Sequence, residues 1–297
     1  METTTTDATM NSHTHAAPDG AQAKQPPVVI CVAPNGARRT RKDHPALPMT
    51  AAELGAEAAA CVAAGASVMH LHVRNEQGSH SLDVDRYRAA IDSVHACTQG
   101  RLLVQVTTEA VGIYQPAQQM QVVKALRPAA ASVAIRELVP DASGHADAVR
   151  FFEWCALNSV ALQFIVYTPQ EAATLQQMAR RGELGCDQPN TLFVLGRYTE
   201  GQRSSATDVL PFLAAWDSTS PWSVCAFGPT EALCMTAAMG LGGHVRVGFE
   251  NNLQRADGST ALNNADLVSN VAAIARHSGR GVAGLEDALR LYGARAA

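Results

Sequence analysis

From residue 28 onward, eight short apolar runs alternate with eight longer amphipathic stretches, and this alternation restricts the architecture more than any other feature of the chain. Strands are expected at 28–33, 67–73, 102–107, 131–135, 160–167, 191–196, 222–227 and 244–249. Helices are expected at about 50–64, 83–97, 116–127, 146–157, 170–181, 204–216, 229–241 and 262–277. Eight successive βα units with no Pro/Gly/Ser-rich linker between them predict a single α/β domain, a (β/α)8 TIM barrel over 27–297, and a further amphipathic stretch at 284–292 predicts an extra C-terminal helix. Cap chemistry supports the junctions: Thr50 precedes a helical pattern with Glu53 three residues on, and Pro169 stands near the start of another.

Composition removes several classes of function. No stretch approaches the roughly 18 uninterrupted apolar residues of a membrane span, and 23 Lys+Arg against 27 Asp+Glu provide no basic field for a nucleic-acid duplex. The seven cysteines (31, 61, 97, 155, 186, 225, 234) contain no C-x-x-C pair and mostly sit in apolar runs, so they read as reduced core thiols of a cytoplasmic protein. Residues 1–26 are polar, lack the apolar core of a secretory signal and read as a disordered tail, in which the His13-x-His15 pair has no scaffold to hold a metal shell.

In a barrel of this kind chemistry gathers where strands end. His70 and His72 are two apart on the second strand and share a face, as do Val68 and Arg74, while Met69, Leu71 and Val73 face the helices. Two imidazoles need a third ligand to make an open zinc-type site. On the eighth strand Arg246, Gly248 and Glu250 share parity, and strands two and eight both flank strand one, so Glu250 can approach the histidines. The competing reading makes the histidines hydrogen-bonded core residues and pairs Glu250 with Arg246.

Thr107, Thr108 and Glu109 close the third strand and Ser132 lies on the fourth. They suit a substrate carboxylate or carbonyl, with Glu109 as a base, although the hydroxyls, Thr108 above all, also suit helix N-caps. Arg38, Arg39 and Arg41 follow the first strand, as an anion clamp or as a salt-bridging loop. Glu137 reads as a surface partner of Arg136, and His44, His80, His95, His145 and His277 as unremarkable loop or helix residues.

The strings NGARRTRKDHPALPMT, GASVMHLHVR, QVTTEAVG and GGHVRVGFENN resemble the β-keto acid cleavage enzyme family, in order from about residue 28 to the C-terminal helix. The resemblance implies a TIM barrel with a divalent metal, usually zinc, that converts a β-keto acid and acetyl-CoA into acetoacetate and a new acyl-CoA, and it implies a homotetramer. It carries metal ligation onto His70, His72 and Glu250, the proton-transfer arginine onto Arg246, and the carboxylate-binding hydroxyls onto Thr107 and Ser132. Asn251 replaces the aspartate that serves as base in the family's representative enzyme, and an amide cannot take that role. Glu109 replaces a glycine, which suggests a relocated carboxylate. Arg38 replaces a glutamate that meets an amino group, which disfavours a cationic substrate tail. The Gly228-Pro229-Thr230 turn, which opens a helix after the seventh strand, is a candidate contact for CoA. A metal-dependent hydrolase or aldolase of the same fold is the alternative, although the fifth and sixth strand ends lack further ligands; a non-catalytic metal-containing binding protein is the third reading.

Overall fold

A computed structural model describes residues 25–216 and 219–295. Its eight parallel strands are β1 (Ile30–Val32), β2 (Val68–Leu71), β3 (Leu103–Thr107), β4 (Ala130–Ala134), β5 (Ala161–Val166), β6 (Asn190–Leu195), β7 (Trp222–Ala226) and β8 (His244–Val247). Each strand pairs with its sequence neighbour, and β1 closes the ring against β8 with Cys31 opposite Arg246. The longer helices are α1 (Ala51–Ala64), α2 (Val84–Thr98), α3 (Pro116–Leu126), α4 (His145–Leu157), α5 (Pro169–Arg180), α6 (Val209–Ala214), α7 (Glu231–Gly240), α8 (Asn264–His277) and the added α9 (Leu285–Tyr292), and a single helical turn, Ile135–Leu138, follows β4. The expected barrel and C-terminal helix are both present. The expected tail falls, but for its last two residues, outside the described residues.

Local chemistry explains the boundaries. Thr50 and Glu53 form the capping box that starts α1, and Pro169 occupies the first turn of α5 behind the Thr168 cap. The sixth helix is shorter than its pattern. Pro211 has no N–H to donate and is tolerated only in a first turn, so α6 begins at Val209 behind a 3₁₀ turn at Ala206–Asp208. After β2, Val73–Arg74 leaves the barrel and pairs antiparallel with His80–Ser81, a small hairpin that the uninterrupted run 67–73 conceals.

Strand alternation sorts the apolar side chains. Met69, Leu71 and Val73 face outward into the main core beneath the helices, each fully buried group contributing about 1.5–3 kcal/mol. Inside the ring, Val29, Cys31, Val68, Leu103, Ala130 and Ala161 form a floor on which Ala288 and Tyr292 of α9 are packed. That plug closes the N-terminal end. The polar side chains therefore collect at the opposite mouth.

Candidate active site and metal centre

His70 and His72 are fully buried at the end of β2, their Nε2 atoms 3.1 Å apart. Glu250 Oε2 lies 3.6 Å from His70 Nε2 and 3.5 Å from His72 Nε2. Strand parity is not sufficient for this meeting, because β8 ends at Val247 and the chain then turns. Gly248, at φ +134°, passes so close to β1 that a Cβ there would stand 2.5 Å from the Ala33 carbonyl oxygen. Gly36, at φ +59°, leaves the space that the Glu250 side chain occupies, since its Cβ would lie 2.5 Å from Glu250 Cγ. Both positions require glycine for conformation as well as room.

The loop carrying Gly36 is tied down from β2's side. Arg74, expected along the barrel axis, instead sits in the hairpin and donates through Nε to the Gly36 carbonyl at 3.0 Å and through Nη2 to the carbonyls of Asn35 at 3.2 Å and Arg39 at 2.9 Å. Arg39 holds the β8 loop by donating to the Phe249 and Asn251 carbonyls at 2.5 and 3.4 Å, and Arg41 pairs with Glu53. Of the three arginines after β1, only Arg38 makes no hydrogen bond or ion pair among the described residues, and it is exposed beside Glu109 and Arg197 in a cavity of about 120 Å³. The salt-bridging and clamping readings thus divide between different residues.

Hydrogen bonds assign the imidazole protons. His80 Nε2 donates to the Glu109 carbonyl at 3.0 Å, because a carbonyl only accepts. His80 Nδ1 is then the acceptor for His72 Nδ1–H at 3.4 Å, which leaves His72 Nε2 with a bare lone pair. His70 Nδ1 faces Gln105 Oε1 at 2.8 Å, so its Nε2 is bare as well. His80, read from the sequence as unremarkable, is a buried support of this centre; its approach depends on the hairpin. Burial pushes His70 down to about 4, helped by Arg246, and pushes His72 to about 3 and His80 to about 4, so all three are neutral near pH 7.

Glu250 supplies the third lone pair. Burial opposes its ionisation, but the Arg246 guanidinium outweighs that and holds its carboxyl well below the usual range. Arg246 Nη2 donates to Glu250 Oε1 at 3.3 Å, while Oε2 is buried with no hydrogen-bond partner. Three bare acceptors therefore converge on one point with edges of 3.1–3.6 Å. A tetrahedral ion at Zn–N distances of about 2.0–2.1 Å needs ligand separations of about 3.3 Å. The residues present fit a divalent cation, and the Arg246 pairing expected by the competing reading coexists with ligation because it uses the other carboxylate oxygen.

Glu109 lies beside this triangle, Oε2 4.0 Å from His72 Nε2 and Oε1 3.9 Å from Arg197 Nη2. Burial and the charge of Glu250 raise its carboxyl to about 7 against the pull of Arg197. Thr107, Thr108 and Ser132 line the same cleft, with Glu137, Tyr167, Arg197 and Phe227. Thr108 is not a helix cap: α3 starts behind Gln115, and the Thr108 hydroxyl donates to the Ser132 carbonyl at 3.1 Å. The Thr107 hydroxyl accepts from Glu109 N–H at 3.2 Å, and Ser132 Oγ lies 3.5 Å from His70 Nδ1.

Glu137 does not pair with Arg136 at the surface. Arg136 bonds Glu171 at 2.5 Å, and Glu137 Oε2 accepts from Ala110 N–H at 3.0 Å and Gln119 Nε2 at 2.8 Å, bridging the loops after β3 and β4. Asn251 is buried with both amide atoms unpartnered and lies outside the cleft lining. Thr230 donates to the Ser204 carbonyl at 2.6 Å and Gly228 N–H to Asn251 O at 3.3 Å, so this turn ties neighbouring loops together. His44 is also structural, its Nε2 2.8 Å from the Ala261 carbonyl. Arg197, absent from the sequence reading, is found only through its place beside Glu109.

Fold and site together define a TIM barrel whose C-terminal mouth presents two neutral imidazoles, one ionised carboxylate and one carboxyl poised near neutrality. A family description, beta-keto acid cleavage enzyme, matches residues 27–293. The chain belongs to that family. It is 27% identical over 273 residues to the 3-keto-5-aminohexanoate cleavage enzyme of Acetoanaerobium sticklandii, covering 90% of this chain and 98% of that protein. It is 28% identical over 281 residues to the 3-oxoadipate:acetyl-CoA acetyltransferase of Cupriavidus necator, covering 90% and 95%. Among solved structures, ObcA in complex with oxaloacetate is similar in fold, with a TM-score of 0.66 and 18% identity over 84% of this chain and 68% of that one.

Proposed function

We propose that the protein is an acyltransferase that condenses a β-keto acid with acetyl-CoA and releases acetoacetate and a new acyl-CoA. Family membership and the names of the two relatives support the reaction class. The observation that carries the site assignment is the convergence of bare His70, His72 and Glu250 acceptors next to a Glu109 carboxyl poised near 7. A divalent cation, zinc by its donor set, would when bound polarise the β-keto carbonyl and stabilise negative charge on its oxygen.

The chain's own residues do the remaining work. Glu109, as carboxylate, takes a proton from the α-carbon, and a base with its pKa near the working pH is the efficient choice. The α-carbon then bonds to the acetyl carbonyl carbon of the thioester, and the CoA thiolate leaves. Thiolate adds to the original β-carbonyl carbon, the bond between that carbon and the α-carbon breaks, and Glu109 returns its proton to the departing acetoacetate. Arg246, permanently charged, keeps Glu250 ionised and oriented. Thr107, Thr108 and Ser132 are assigned to the substrate carboxylate, and the Gly228–Thr230 turn to CoA. Asn251, an amide that cannot serve as a base, is assigned no transfer step.

Arg38 and Arg197 give the outer cleft positive charge, which favours a neutral or anionic substrate tail. A cytoplasmic, homotetrameric enzyme is the form we assign. The test is a panel of β-keto acids with acetyl-CoA, followed by detection of acetoacetate. Acetoacetate and acyl-CoA should appear together; turnover without any thioester would instead mark a hydrolase or aldolase.

A further inference from the structure

His70 Nδ1 is held by Gln105, and Gln105 is not free to choose which of its amide atoms faces the imidazole. Its Nε2 donates to Gln163 Oε1 at 3.0 Å, and Gln163 Nε2 donates to Asn190 Oδ1 at 3.0 Å. Asn190 Nδ2 in turn meets the main-chain carbonyl of Leu291, in α9, at 3.4 Å. A carbonyl can only accept, so the last link fixes the orientation of Asn190, and each amide then fixes the one before it. The three side chains cross the lumen from β3 through β5 to the start of β6, and all are buried. Gln105 and Gln163 are sealed from solvent, so water cannot replace their links at low cost, whereas Asn190 and Leu291 border the open depression at the floor end of the barrel.

We propose that Gln105, Gln163 and Asn190 form a one-way amide relay, anchored on the Leu291 carbonyl of the C-terminal helix, that keeps the His70 proton on Nδ1 and so presents a bare Nε2 to the cation. These are positioning residues, and the proposal rests on the metal-ligation reading above only for its consequence, not for the tautomer itself. If Gln105 reversed, its N–H would face Nδ1, the proton would sit on Nε2, and the ligand atom would be blocked. Ser132 Oγ, at 3.5 Å from the same nitrogen, is a hydroxyl that both donates and accepts and so selects no tautomer.

The experiment compares Gln163→Met with Gln163→Glu in the full chain. Methionine removes the Gln163 acceptor and leaves Gln105 only the Tyr292 hydroxyl, which can donate as readily as accept, whereas a glutamate still accepts from Gln105 Nε2. Histidine nitrogen chemical shifts in the metal-free protein read the tautomer, and zinc affinity is read by competition with a chelator. Gln163→Met is expected to move the His70 proton to Nε2 and to weaken zinc about tenfold, the lower end for loss of an outer support; Gln163→Glu is expected to keep both. A folded Gln163→Met with the wild-type tautomer, or equal loss of affinity in both variants, overturns the relay. Should Gln163→Met fail to fold, Asn190→Leu makes the same test one link further out. A tautomer change in a protein whose wild type takes up no zinc would uphold the relay and reject the metal reading.

Discussion

At its N-terminal end the barrel lumen is closed by Val68, Leu103, Ala130 and Ala161 under the C-terminal helix; two residues further along β2 and β3, the same inward face carries His70 and Gln105. One periodicity serves both ends. The floor satisfies its side chains by contact, so its residues need only be apolar and of the right volume. The mouth leaves three acceptors facing one another without donors, an arrangement that costs free energy unless a cation joins it. A depression of about 690 Å³ also opens at the floor end, but no carboxylate lines it, so size does not mark the chemistry here.

Substitutions at the two ends should separate these roles. Replacing Glu250 with Ala removes a ligand and is expected to abolish metal uptake and lower kcat/KM by about 10⁴-fold or more, roughly 5.5 kcal/mol of transition-state stabilisation; retained activity in chelated protein would break the distinction at once. Glu109→Gln is expected to lower turnover about 10³-fold, within the range for a general base. It should abolish exchange of the substrate α-proton with solvent while metal content stays at wild type; unchanged exchange rejects Glu109 as the base.

The same residue sets a pH profile. A base acts when deprotonated, and its carboxyl is raised to about 7, so kcat/KM should fall as pH drops through about 7. In Glu109→Gln that limb should vanish. At the floor, Leu103→Ala is expected to cost about 3 kcal/mol in unfolding free energy, measured by denaturant, with metal stoichiometry unchanged. A loss of metal in that variant would mean that floor and mouth are not separable. The smallest effect is expected at the rim, where Arg38→Glu should shift preference about tenfold toward β-keto acids with a cationic tail, a modest value because the site is exposed. Preferential turnover of an amino-bearing substrate by the wild type would contradict the charge assignment.

Much of this was legible in the residues. His70 and His72 share a face because strand side chains alternate, and Glu250 has the parity of Arg246; the triangle they form is the expected one. The family resemblance added the reaction and pointed to Glu109, whose place beside His72 the fold supplies. His80 gives no sign of its role in the sequence, because that role depends on a hairpin of two two-residue strands that no periodicity announces. Adjacency suggests a Glu137–Arg136 pair, whereas the helical turn after β4 sends the two side chains to different partners. Arg197 carried no pattern at all.

The sequence by itself determined the barrel, the burial of alternate side chains and the shared face of His70 and His72 toward which Glu250 could turn, because strand and helix periods and cap residues act over a few positions. Tertiary structure decided which imidazole nitrogen is bare, which charges surround the Glu109 carboxyl and which of the arginines after β1 is left unpaired. Those properties are set by hydrogen-bond partners and charges brought together from residues 36 to 291, and the direction of a hydrogen bond between distant strands has no trace in the local order of the chain.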